Sequence, residues 1–428
     1  MSKHFNNATA TAALERVLEL EDAALEDSAV EPKIVEEPLP EFAGAVTGSM
    51  ADYARAVEPD FPMEYKIAAI LTRVGLALSG KTFLKGSENI QPRFYMELVS
   101  EAWSGKSGSI ETTGGLDEGV HLYEVLLSID SGPALVDAFN RQKEELQAMG
   151  LDGETQPLKL LLYPDEMKFV FEASKVGKDS RGSNVLTHLL RLFESNKSGN
   201  ATRSHSNLQV RNAHFSVIGG ATKDSHEQMW QGTGGGKNGL QTRFTLISTN
   251  QGTVPPNRRP SDTAAAEAAV ARIREQIKNA PALIDVTADA QEMFLEWRAK
   301  VKSSEQSVRL SDIVKRFVIV LAVTNDTDIV GPELMEQATL FGDHVLAARE
   351  RFNPEDASTN VQAFENRILK GLRKYKQLTK RQVMQVVSPA KFNGGYQAFG
   401  IAWNGLVTAG AVEVTSKAGR KTLFAVAA

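Results

Sequence analysis

The sequence predicts an α/β fold: a parallel sheet wrapped by helices, a helical stretch after it, and a small basic module at the carboxyl end. Three observations predict it. Phe94–Val99 reads as a strand, Leu158–Tyr163 as a short apolar run of the kind a central strand covered on both faces has, and His214–Ile218 and Phe244–Ser248 as further buried strands. Helical patterns separate these runs, so each strand needs a crossover to the next, and crossovers build parallel sheets. Charge also reverses along the chain. The first forty or so residues carry ten acids against Lys3, Arg16 and Lys33, whereas the last seventy set eleven basic residues against Glu365 and Glu413. A basic end of that density suits a polyanion.

With 428 residues, 24% of them charged and 42% hydrophobic, the chain can build one large core and a smaller module. It contains no cysteine, which excludes disulfides, thiolate zinc sites and cysteine nucleophiles and fits a reducing compartment. The longest apolar stretch, Phe317–Val323, is too short to cross a bilayer, and the first residues lack a signal-like apolar run. The expectation is a cytoplasmic protein without a membrane anchor. His188, His205, His214, His226 and His344 lack ligand spacing, so no structural metal is expected.

Residues 1–58 read as an acidic tail and linker, with a helix over Ala8–Asp27 and an exposed Pro-containing stretch over Glu31–Pro40. Residues 59–260 hold the strands, with helices expected at Ile67–Leu78, Leu122–Leu127, Ala134–Met149 and Val185–Phe193. After the Pro-rich Val254–Pro260, residues 261–352 read as four helices: Thr263–Asn279, Ala288–Lys302, Leu310–Val323 and Pro332–Arg351. A hinge at Asn353–Thr359 precedes residues 360–428. There, helices at Val361–Tyr375, Lys380–Val387 and Tyr396–Ala409 come before two strands joined by a Lys-Ala-Gly-Arg turn, the winged-helix order. Lys380, Arg381, Lys391, Lys417, Arg420 and Lys421 are its DNA-contact candidates. Tyr396, Phe399 and Trp403 fall at core spacing in its third helix. Arg181, Lys197, Arg203 and Lys223 are further candidates for a DNA path, or simply a solvated face.

The chemistry concentrates at strand ends. After the first strand comes Ser100-Glu-Ala-Trp-Ser-Gly-Lys-Ser-Gly108. A phosphate loop needs main-chain N–H groups, a lysine for the β/γ charge and a hydroxyl for Mg²⁺. Gly105, Lys106, Ser107 and Gly108 fit, although Ser100 stands where the pattern has its first glycine and Trp103 sits inside the loop. A surface Gly-Lys-Ser turn is the plain alternative. Leu158-Lys-Leu-Leu-Leu-Tyr-Pro-Asp-Glu166 ends a buried strand in two acids, as a metal-holding Asp165 and a water-activating Glu166 require. Two such acids also commonly cap a helix. Thr222, ending the next strand, is a candidate γ-phosphate sensor or another cap. Arg243, behind a glycine-rich loop, is a candidate arginine finger, with Lys237 second, or a surface ion pair.

Taken in order, Phe61-Pro62, Leu76-Ala-Leu-Ser-Gly80, Gly-Lys-Ser, Asp130-Ser-Gly-Pro-Ala-Leu-Val-Asp137, the Asp-Glu strand, Phe-Ser-Val-Ile-Gly-Gly-Ala-Thr222 and Asn238-Gly-Leu-Gln-Thr-Arg-Phe244 resemble domain-of-unknown-function family 3987. These are P-loop primase-helicase-like ATPases of phages, plasmids and integrated elements. The resemblance covers about Pro59 to Arg351. It implies Glu166 as the acidic hallmark and Asn238-Gly239 with Arg243 as a matched pair. No primase or polymerase domain is recognisable before it.

The expectation is thus a RecA-like P-loop ATPase core with a helical extension and a C-terminal winged helix, using ATP and Mg²⁺ to unwind or translocate DNA in phage or plasmid replication. Alternatives are a DNA-stimulated loading ATPase, or a non-catalytic origin-binding or regulatory protein with a degenerate loop. The expected partners are DNA, further copies of the chain in a ring such as a hexamer, and a replication protein met by the acidic tail.

Overall fold

The computed structural model describes residues 37–118, 122–152, 155–175, 185–200, 208–231, 239–353, 360–389, 395–418 and 421–427. The expected Ala8–Asp27 helix lies outside them. The chain divides after Pro38, and all that follows concerns Leu39 onward.

A five-stranded sheet organises the fold, in the order β3 (Glu124–Leu126), β4 (Leu158–Leu162), β7 (Ala213–Thr222), β2 (Tyr95–Ser100), β8 (Phe244–Ile247), every neighbouring pair parallel. Every residue of β2 and β4 is buried, which is why both read as mostly apolar segments without polar alternation, broken only by Glu97 and Ser100 in β2 and Lys159 in β4. Alternation persists in where they point. Met96 and Leu98 enter the core on one face, Tyr95 and Val99 the core on the other.

The first face is covered by α1 (Gly48–Ala56), α2 (Met63–Leu78), α8 (Thr263–Lys278), α10 (Leu310–Thr324) and α11 (Pro332–Arg351). Fourteen of the sixteen residues of α2 are buried, so its apolar positions run all round rather than along one stripe. The second face is covered by α4 (Gly132–Ala148), α5 (Met167–Lys175), α6 (Val185–Glu194) and α7 (Lys223–Gln231). The short α3 (Lys106–Thr112) follows β2, and α9 (Ala288–Lys300) packs beside α11.

Three expectations change, and two further strand pairings appear. Leu122–Leu127, expected as a helix, forms the edge strand β3, because Tyr163 N–H donates to Leu126 O and pairing with β4 outweighs the local pattern. Residues 39–58 are core rather than linker: Phe42, Val46 and Met50 are fully buried, and Asn250 clasps Leu39 through both its N–H and its carbonyl. The helices of 261–352 share one core with α2 instead of standing apart. Finally, Phe83–Leu84 (β1), Leu283–Val286 (β9) and Ile329–Val330 (β10) form a small parallel sheet, and Lys197–Asn200 (β5) pairs with Leu208–Arg211 (β6) in a hairpin.

The carboxyl-terminal module has its own core, including Phe364, Ile368, Leu372, Val383, Phe399 and Trp403. It comprises α12 (Asn360–Tyr375), α13 (Lys380–Val387), α14 (Gly395–Thr408) and the antiparallel β11 (Val412–Ala418) and β12 (Lys421–Val426). A capping box of Thr379 and Gln382 starts α13. Leu378, just before it, bridges Phe424 of β12. No helix among the described residues is long and apolar enough to cross a membrane.

Candidate functional site

The polar strand ends gather at the carboxyl edge of the five-stranded sheet. Ser100 ends β2 opposite Thr222 of β7. The chain then turns through Trp103 (φ 63°) and Gly105 (φ 81°) into α3. A Cβ on Gly105 would come within 2.7 Å of Val254 Cγ2 and 2.9 Å of Phe61 Cδ1, so both space and backbone angle demand glycine. Val254 N–H donates to Trp103 O at 3.0 Å and fastens the loop from outside.

Lys106 folds back into this loop. Its Nζ donates to Glu101 O at 2.7 Å, to Ser100 Oγ and Ser104 Oγ at 3.2 Å each, and to Ser100 O at 3.3 Å. The Ser100 and Ser104 hydroxyls bond each other. Ser100, the departure from the glycine pattern, is therefore part of the lysine's cradle. Burial pulls the Lys106 ammonium down to about 8. The paired glycines of β7 make room on both faces. A Cβ on Gly220 would lie 3.3 Å from Lys106 Cβ, and one on Gly219 would lie 3.0 Å from Met167 Cε and 3.3 Å from Pro164 Cγ.

Asp165 and Glu166 follow β4, both exposed. The Tyr163 hydroxyl is pushed up to about 12 by burial and then by the carboxylates of Glu111 on α3 and Asp165. Glu166 pairs with Lys168 at 2.9 Å. Ser107 is exposed in the first turn of α3, and Gly108 faces the Phe61 ring. Thr222 is spent locally: its hydroxyl accepts from Ser225 N–H at 3.1 Å and donates to Ser225 Oγ at 3.0 Å, capping α7.

Arg243 is not brought here. It precedes β8 instead of following it, and Phe244 pairs with Tyr95, the first residue of β2. That puts Arg243 at the amino edge, about 20 Å along the strands from the phosphate-loop candidate at ~3.3 Å per residue. It is 9% exposed, paired with Glu194 at 2.7 Å and donating to Gly239 O at 2.5 Å, while Arg309 shares Glu194. The ion-pair alternative describes it in this conformation.

Lys237, Asn238, Arg181, Arg203, Lys391 and Arg420 lie outside the described residues, as do the side chains of Lys417 and Lys421, whose backbones belong to β11 and β12. In the carboxyl-terminal module Arg381 is exposed, as are Lys370, Arg373, Lys374 and Lys376 at the end of α12. Lys380 holds its ammonium 5.8 Å from the centre of the Trp403 ring. Phe399 and Trp403 are core, but Tyr396 is 51% exposed. α14 carries no charged residue, so among the described side chains the basic surface comes from the first two helices and the turn between them.

Glu101 and Lys223 are two carboxyl-edge residues that the motifs do not single out. Lys223, a DNA-path or solvated-face candidate, reaches Glu101 of the loop at 2.9 Å. The signal for both is a place one residue beyond a strand end.

No group of three or more His, Asp or Glu side chains among the described residues is arranged to hold a metal ion. No family model matches the chain and no curated protein matches it, so the resemblance drawn from its motifs rests on those motifs alone.

Proposed function

We propose that the chain is a RecA-like P-loop ATPase that unwinds or translocates DNA, in the replication of a phage or plasmid. The observation that carries this reading is the enclosed Lys106 ammonium. It sits at the carboxyl end of β2, beside the central strand β7, where parallel α/β sheets place their ligands, held by loop oxygens that an arriving triphosphate would replace. The intervening β7 separates the lysine strand from the acid strand, leaving width for phosphates between Lys106 and Asp165.

In this reading the loop N–H groups around Gly105 and Gly108 face the phosphates and Lys106 balances their charge. Ser107 and Asp165 are hard oxygen donors, both exposed at the same edge, and so fit Mg²⁺, which accepts one or two protein oxygens and keeps several waters. The ion would draw charge off the transferring phosphoryl group. Glu166, free to leave Lys168 on an exposed turn, orients and deprotonates the attacking water. The carboxyl-terminal module supports the DNA half of the reading. Three helices, a hairpin and the Leu378–Phe424 bridge follow winged-helix order, with Arg381 and the α12 lysines outward. Copies of the chain would assemble as a ring.

The test is ATP hydrolysis by the full chain and by Lys106→Ala, with and without single-stranded DNA. The expected result is DNA-stimulated turnover, reduced by on the order of 10²–10³ in the variant. Hydrolysis at the parental rate in Lys106→Ala would sink the phosphate-loop assignment. Stimulated hydrolysis without strand separation would favour a loading ATPase, and absence of hydrolysis with DNA binding retained would favour a regulatory protein.

A further inference from the structure

Lys106 and Lys223 share one residue. Lys106 donates to the main-chain carbonyl of Glu101 at 2.7 Å, and Lys223 pairs with the Glu101 carboxylate at 2.9 Å. Two ammonium groups thus flank the same loop residue, one from the start of α3 and one from the start of α7. Their strands are neighbours, with Ser100 opposite Thr222. The Glu101 side chain is 74% exposed and that of Lys223 is 37% exposed, so the pair can open without unfolding anything.

The rest of α7 reaches away from the site. His226 Nδ1 lies 2.7 Å from Oε1 of the fully buried Glu97, in the middle of β2, and Trp230 Nε1–H donates to Glu97 Oε2 at 3.2 Å. His226 Nε2 lies 2.9 Å from Phe352 O, just past the end of α11, and the Lys223 ammonium lies 5.9 Å from the centre of the Phe352 ring. Glu227, next along α7, pairs with Arg367 of α12 in the carboxyl-terminal module. One short helix therefore touches the loop, the strand that carries it, the end of the last core helix and the first helix of the basic module.

We propose that Lys223 is a phosphate-sensing cation of the nucleotide site, exchanging Glu101 for the terminal phosphate of a nucleoside triphosphate, and that α7 passes this exchange to the carboxyl-terminal module through Phe352 and Arg367. The inference rests on the triphosphate reading of the Lys106 loop. A triphosphate that draws Lys106 off Glu101 O brings negative charge within reach of the second ammonium as well. A diphosphate lacks the terminal group and leaves the Glu101–Lys223 pair closed. The device distinguishes the two nucleotides by charge at one point and converts the difference into a pull on α12.

The experiment compares the full chain with Lys223→Met, Lys223→Arg and Glu227→Gln. It measures binding of a non-hydrolysable ATP analogue and of ADP, steady-state hydrolysis, and hydrogen exchange across α12 with each nucleotide. Lys223→Met is expected to keep ADP affinity within about twofold, to lose triphosphate preference, and to drop kcat at least tenfold more than it changes KM. Lys223→Arg, which keeps the charge, restores most of the loss. Exchange in α12 should respond to the triphosphate analogue and not to ADP in the parent; Glu227→Gln should lose that response while hydrolysing normally. Thermal melting of Lys223→Met at the parental midpoint excludes a folding defect as the cause. Parental kcat and nucleotide preference in Lys223→Met, with the parent binding and hydrolysing ATP, would overturn this inference alone. Absence of nucleotide binding by the parent itself would overturn it together with the reading beneath it.

Discussion

The two edges of the five-stranded sheet hold the same kinds of cation in opposite ways. At the carboxyl edge, Lys106 and Lys223 rest on a loop and on an exposed carboxylate, partners that a ligand can displace. At the amino edge, Arg316 donates to the carbonyls of Arg93 and Phe193, and Arg349 to those of Thr242, Phe244, Gln306 and Val308. Those oxygens belong to strand entries, to the end of α6 and to the turn before α10, and the fold holds them in place. Burial pulls Arg316 down to about 9, Arg349 to about 10 and Lys159 to about 7. What separates the cations of the two edges is how firmly the fold holds their partners, not their residue type.

Glu166→Gln tests the open edge most severely. It should bind nucleotide and lower turnover by about 10²–10⁴, since only proton abstraction is lost, with the melting midpoint unmoved. Single-turnover hydrolysis at the parental rate would move the base elsewhere.

Arg349→Met tests the locked edge. Removing one guanidinium takes the donor from four carbonyls, that of Phe244 buried and the others partly so, and urea unfolding should register a loss of about 3 kcal/mol with nucleotide affinity unchanged in the folded fraction. A stable variant with impaired binding would erase the contrast between the edges.

Lys159→Met should go the other way and add roughly 2 kcal/mol at neutral pH, because the ammonium is buried against Ala77 O with no acid beside it among the described residues. The sign follows from linkage. The folded-state value of about 7 lies below the ordinary 10.5, so the unfolded chain binds the extra proton between those limits. The penalty is full below pH 7 and is relieved as pH rises toward 10.5. The stability difference between variant and parent should therefore shrink across that window; a flat difference would show that Lys159 does not titrate there.

Arg243→Ala is the smallest and sharpest case. Losing the pair with Glu194 should cost about 1 kcal/mol, since Arg309 remains on that carboxylate, and kcat should hold. If kcat instead falls about a thousandfold in a folded variant, and mixing with Lys106→Ala restores activity, Arg243 acts on a neighbouring subunit's nucleotide.

Much of this contrast was legible in the chain. The apolar runs ending in Gly105-Lys106-Ser107 and in Asp165-Glu166 gave both strands and their edge, because a residue that follows a parallel strand must lie at its carboxyl end. The same rule, applied to Arg243, places it at the amino end, since it precedes its strand. Glycine-rich surroundings obscured that. Leu122–Leu127 was illegible for another reason: six residues are too few to separate a helical from an extended pattern, and the deciding partner, Leu160–Leu162, lies far along the chain. The two-residue strands β1 and β10 have no pattern at all. The Glu101–Lys223 and Glu227–Arg367 pairs join residues brought together only by the fold.

The exposed Trp103 has a practical consequence for optical work. Of the four tryptophans, Trp230, Trp297 and Trp403 are 2%, 8% and 4% exposed, while Trp103 is 86% exposed in the loop itself. Three indoles emit from dry surroundings and one from water. Collisional quenching by iodide will therefore fall almost wholly on the loop, and protection from iodide on adding a ligand reads loop occupancy in the unlabelled chain. A Trp103→Phe protein supplies the blank.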